Sequence, residues 1–401
     1  MSKRNFVIDS VKTIFSSLLI AFGLQMIAYP FLVNKLGSSE FGHILTIYTI
    51  LTIATVVLGN TLNNIRLINM NTFKPNVIYS IFLKLLVISI SIETVGLVLI
   101  IYFYFNLTIT TILFLVVINL LMCIRIYSNV FYRMKLEYNK LLLISIAQFV
   151  GIGFGIFLFN LTNRWEFIFL FSEIFGLMYI IYTLRNYFIS LQVDKSNSLD
   201  INKDYLMLLG TNLLNNINLY LDRLILLPIV GGTAVTASYL ATFIGKIIAS
   251  FLYPINNVIL SYISVNKIGN KFKQYMLVIF IGLILSLIVL SMCYPITILI
   301  VEHLYKQDSD SIKNIIIIGN MAILLGVISN MVQSLNIKYI NMRIQTIFQV
   351  LFSIFYIVIT TLVTYLFGIF GFFIATLIAN GIKVILLTTL GIKYSNKEEI
   401  N

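Results

Sequence analysis

Asp222 and Arg223 stand side by side within the apolar run 205–230. A charge in hydrocarbon costs about 2.5–3.5 kcal/mol on insertion scales, so such groups persist where they face protein or water. The same run carries Asn212, Asn215 and Asn216, which share one face of a continuous helix with Arg223. Amides and a guanidinium on one face can bind sugar hydroxyls and phosphate oxygens. They can equally tie helices together, at about 0.6 kcal/mol per interhelical bond. Lys246 in the next apolar run lies about 12 Å below its outer end by helical rise. It is the strongest candidate for a cation presented to an anionic substrate. Asp222 and Arg223 point about 100° apart on a helix, so they need not pair with each other.

Other charges interrupt apolar runs. Glu93, Glu173 and Asp222 are carboxylates that either brace the bundle or carry a coupling ion. Lys84 and Lys383 lie toward the cytoplasmic ends of their runs. Lys383 is expected to snorkel to the inner headgroups; Lys84 either does so or faces a cavity. Arg66, Arg125 and Arg133 are expected at the cytoplasmic mouth, where they set topology and would be met first by an incoming headgroup. His43 and His303 lack metal-ligand spacing, and Cys123 and Cys293 are isolated. No Walker motif, nucleophile elbow or HExxH occurs. No cofactor, metal or catalytic residue is therefore expected, and transport is a better expectation than enzymatic turnover.

The elements that position these groups are membrane spans. Of 401 residues, 59% are hydrophobic and 10% charged, against about a quarter charged in globular proteins. The apolar runs lack two-residue alternation, which selects helices over a barrel. Twelve spans are expected: 13–33, 42–60, 77–104, 109–127, 141–160, 167–184, 205–230, 238–258, 274–300, 314–335, 345–367 and 369–390. A tight turn, Gly368 to Gly371, separates the last two. With both termini cytoplasmic, only Lys35, Arg164, Lys306 and Lys313 fall in outer loops. Lys84, Arg223, Lys246 and Lys383 fall in spans, leaving 19 of the 27 basic residues inside. The positive-inside rule fixes that orientation and accounts for the net charge of +12 without nucleic acid.

The longest polar stretch, Arg185 to Asp204, divides the chain. We expect a six-helix lobe over 1–190, a cytoplasmic linker over 191–204 and a second lobe over 205–401. The segments 32–42 and 229–239 both run from a hydrophobic exit through a glycine turn to an aromatic residue, which suggests a parallel repeat. Pro30, Pro228, Pro254 and Pro295 are candidate hinges or static kinks.

The turn Leu36-Gly37-x-x-x-Phe41-Gly42 and the stretch Tyr220-Leu-Asp222-Arg223-Leu-Ile-Leu, with Tyr239 and Pro254 beyond it, resemble Wzx-type polysaccharide repeat-unit flippases. These belong to the multidrug/oligosaccharidyl-lipid/polysaccharide exporter superfamily. The resemblance spans the chain, although Pro228-Ile-Val-Gly-Gly stands where the family has an earlier glycine. It implies an all-α polytopic membrane protein, MATE-like, with twelve transmembrane helices in two six-helix lobes around a central cavity. It also implies an undecaprenyl-diphosphate-linked oligosaccharide as substrate, moved from the inner to the outer leaflet of the bacterial plasma membrane. Membrane lipids, a polymerase and other glycan-assembly proteins would be its partners. Two other readings stand: an exporter of small organic cations from the same superfamily, and a polysaccharide polymerase. The polymerase would need a large external loop, and none here is longer than Val301–Ile312.

Overall fold

The computed structural model describes residues 3–69, 75–189, 199–265, 271–340 and 342–397, and every element among them is helical. In order these are α1 (Lys3–Phe22), a π-helical turn (Gly23–Ala28), α2 (Tyr29–Leu36), α3 (Ser38–Ile68), α4 (Pro75–Phe105), α5 (Ile109–Met134) and α6 (Tyr138–Thr162). There follow α7 (Glu166–Ile189), α8 (Leu199–Leu219), α9 (Leu221–Ile229), α10 (Gly232–Val265), α11 (Lys271–His303), α12 (Lys313–Tyr339) and α13 (Met342–Lys397).

Among the described residues ten helices are long and apolar enough to cross a membrane. Gly368, at φ 62° and ψ −147°, breaks α13 into two passes, as the glycine turn predicts. The expected pass 205–230 falls on α8 and α9: α9 has nine residues, α8 has 21 but opens on Asp200, Lys203 and Asp204, and Tyr220 between them leaves helical geometry at φ −112° and ψ 19°. Twelve passes result. The first is also irregular: Pro30 has no N–H, and just before it the ladder widens so that the Tyr29 N–H reaches the Leu24 carbonyl. Pro228 and Pro295 lie inside α9 and α11. The Pro254 side chain lies outside the described residues, as does most of the expected linker 191–204, whose last residues open α8.

The chain forms two units, one of Met1–Leu32 with Ile47–Ile217 and one of Val33–Thr46 with Asn218–Asn401. This differs from division at the linker: α8 as far as Ile217 goes with the first unit, and the turn after the first span goes with the second. The first unit packs Leu62, Phe82, Phe131, Tyr132, Leu184 and Tyr205 into its core. The second packs Tyr275, Val278, Leu324, Val332, Leu335 and Leu387. Within the first, Gly151 and Gly155 let the α7 backbone close on α6; a Cβ at either would overlap Phe171–Ser172 or Phe167–Ile168. Outward rows stay apolar, such as Val87, Ile88, Ile92, Val95 and Leu99 on α4 and Phe280, Ile284, Leu287 and Leu299 on α11. Rows of this kind are stable against lipid and are what a multi-pass membrane protein presents.

The two glycine turns meet inside the second unit. Gly37 and Gly231 both have positive φ, 85° and 106°. Aligned on these glycines, Ser38 matches Gly232 and Gly42 matches Thr236. The Thr236 hydroxyl donates to the Ser38 carbonyl at 2.6 Å, while Gly42 lies against the Gly232 carbonyl with no room for a Cβ. Each half of this pair repeats the other with partners exchanged, the geometry of a pseudo-twofold. It supports the internal repeat and sets the direction in which α10 starts.

Candidate functional site

α10 carries Ser238, Tyr239 and Lys246 away from that turn, and α9 brings Asp222 and Arg223 against them. Lys246 Nζ lies 2.6 Å from Asp222 Oδ2, and the Ser238 hydroxyl donates to the same oxygen at 3.3 Å. Asp222 sits in the first turn of α9, where the helix dipole favours a carboxylate. The Arg223 guanidinium lies over the rings of Tyr220 and Tyr239, 5.2 and 5.6 Å from their centroids. Tyr239 in turn shares a hydrogen bond with Tyr305 at 3.2 Å and packs on Phe41 and Phe243. Two cations thus flank one carboxylate. The Lys246 side chain retains 24% exposure against 7% for Asp222.

The break at Tyr220 alters the expected polar stripe. Asn212, Asn215 and Asn216 belong to α8 and the first unit, Arg223 to α9 and the second, so no continuous helix aligns them. The Asn212 amide donates to Thr61 Oγ1 at 2.8 Å, and Asn216 donates to the Asn212 carbonyl at 2.9 Å. Asn215 is exposed. Asn218 donates to Ser353 at 2.7 Å.

Two arginines expected at an open mouth are enclosed instead. Arg66 is 1% exposed. Its guanidinium lies over Phe82, Tyr127 and Phe131 at 5.7, 5.8 and 4.5 Å and donates to the Tyr127 hydroxyl. Arg125 forms two bonds to Glu173, Nε to Oε2 at 2.5 Å and Nη2 to Oε1 at 3.1 Å, and Gln148 donates to Oε1 at 3.2 Å. Enclosure removes both from a headgroup's path in this structure, and Glu173 becomes the counter-ion of Arg125. Lys383, expected to snorkel, is buried beneath the Phe352 ring at 5.3 Å, where the π face replaces headgroup water. Lys84 is exposed on the apolar row of α4. Glu93 accepts from the Asn119 amide at 2.7 Å.

No family model matches this chain, and no curated relative matches it. Solved structures do. Lipid II flippase MurJ in an inward closed conformation aligns with a TM-score of 0.69 at 16% identity, over 96% of this chain and 87% of that one. A MATE protein in complex with MaD3S aligns at 0.68 and 14% identity, over 100% and 97%. An inward-facing multidrug resistance MATE transporter of the MOP superfamily aligns at 0.66 and 14%, over 96% and 95%. The fold is MATE-like. The likeness runs over essentially the whole chain.

Sequence reading singled out Asp222, Arg223 and Lys246, which the structure brings together. It missed Ser238 as a donor to Asp222 and, in the first unit, Gln148 as a donor to Glu173 and Asn119 as a donor to Glu93. An amide inside an apolar run, such as Asn119 within Val117 to Met122, is the signal that was available for one of them.

Proposed function

We propose that this chain is a flippase that moves undecaprenyl-diphosphate-linked oligosaccharide from the inner to the outer leaflet by alternating access. The glycan would serve capsule, exopolysaccharide or O-antigen-type assembly. The observation that carries the reading is Lys246 itself: 2.6 Å from Asp222 within a membrane pass, its side chain still keeps 24% exposure. A part-exposed cation in a membrane-embedded site suits a diphosphate. In the second unit, Lys246 and Arg223 would grip phosphate; in the first, Asn212, Asn215 and Asn216 are the candidates for sugar hydroxyls. Arg66 and Arg125 would meet a headgroup only if their present partners released them.

Export of a small organic cation is the second reading. It is favoured by the MATE neighbours but opposed by the part-exposed ammonium of Lys246. The test is deletion in the native host followed by analysis of undecaprenyl-linked intermediates. Accumulation of cytosol-facing oligosaccharide-lipid is expected. Normal glycan export with altered drug sensitivity would instead establish the cation exporter.

A further inference from the structure

Among the described residues, Asp222, Glu173 and Glu93 are carboxylates in the interior of membrane passes, and the first two have a cation. Asp222 has Lys246 and Glu173 has Arg125. Glu93, on α4, forms no ion pair among the described residues. Its Oε2 accepts from Asn119 Nδ2 at 2.7 Å and lies 4.0 Å from Cys123 Sγ, both on α5. Asn119 is 0% exposed and also reaches Thr94 Oγ1 at 3.5 Å. Two oxygens here are buried and lack a hydrogen-bond partner among the described residues: Glu93 Oε1 and Asn119 Oδ1.

A buried acceptor left unmade costs about 1–3 kcal/mol, more where charged, and a carboxylate without a counter-ion in hydrocarbon adds its own penalty. The surrounding groups supply no relief. On α5 the titratable neighbour is Cys123, with the Arg125–Glu173 pair beyond it. On α8, Tyr205 donates its hydroxyl to Ser89 Oγ, one turn before Glu93, and so is already spent. On α4 itself, Lys84 is nine positions away on the opposite face of the helix. A proton on the carboxyl would remove the charge that none of these groups answers.

We propose that Glu93, held by Asn119, is the proton-carrying carboxyl of this protein. In the arrangement seen, Glu93 bears a proton on Oε1, taken from bulk water. When the site opens to water, the O–H bond breaks, the proton returns to solvent and the carboxylate is hydrated. This deepens the transporter reading by choosing one carrier among the candidates: Glu173 and Asp222 are neutralised where they stand.

The test is infrared difference spectroscopy of the purified full-length protein in lipid nanodiscs, comparing acid with alkaline buffer. Wild type should show a carboxylic C=O band that disappears on the alkaline side. Glu93→Gln should lack that band, Glu173→Gln should retain it, and Asn119→Leu should shift its frequency. Identical spectra for wild type and Glu93→Gln would overturn the proposal. So would loss of the band on adding sodium at constant pH, because the resident cation would then be a metal ion. The readout needs no substrate. A failed flippase reading therefore leaves the infrared result intact, and a failed band leaves the intermediate analysis intact.

Discussion

Replacing Glu173 by Met isolates what a buried ion pair contributes to the first unit. The Arg125 side chain is 13% exposed and that of Glu173 3%, so water cannot take the place of a lost partner. Removing one member of such a pair costs about 3–5 kcal/mol, because the other charge stays buried and unneutralised. Arg125→Met should cost a similar amount, since it leaves a carboxylate with only the Gln148 amide at 3.2 Å. The double variant removes both charges and fills the space with apolar atoms. By the behaviour of other buried pairs it should lie near wild type, or above it by about 1–4 kcal/mol. The assay is unfolding of the purified protein in mixed micelles titrated with denaturing detergent, read as a double-mutant cycle. The two single losses should then fail to add by several kcal/mol. Additivity within about 0.5 kcal/mol would refute the reasoning, since independent sites behave that way.

Lys246→Ala should cause oligosaccharide-lipid to accumulate in the native host, and Lys246→Arg should restore export in part by keeping the charge beside Asp222. Normal export by the alanine variant would remove Lys246 from the substrate path. Gly155→Leu should abolish folded protein in detergent chromatography because its side chain would enter the α7 backbone. Gly153→Ala on the same helix, with open space around it, should elute as wild type. Arg66→Leu should lower the unfolding free energy by about 1–2 kcal/mol through loss of three ring contacts, and Arg66→Lys by less. Equal stability of both with wild type would mean the aromatic enclosure contributes nothing.

Composition and charge distribution speak directly about the medium, so the twelve passes were legible before any coordinates. Gly368 was legible for a local reason: a glycine can take the positive φ that reverses the chain within a turn. Tyr220 was not, because Asn-Leu-Tyr-Leu-Asp contains no residue that breaks a helix by its own chemistry. The break accompanies bonds from Asp222 to Lys246 and Ser238, 24 and 16 positions later, which no window around Tyr220 contains. Partnership of charges has the same non-local character. Arg125 and Glu173 are 48 positions apart, and alone one reads as a residue of the cytoplasmic mouth and the other as a carboxylate in a span; together they are a brace. This reorders the candidates by a physical criterion. A group whose charge is already answered inside its unit must break bonds before it can act on a ligand. Lys246, though paired with Asp222, still keeps 24% exposure, and Glu93 holds a buried oxygen without a donor, so both have capacity left over. Those two side chains, on α10 and α4, are where substrate and proton should be sought.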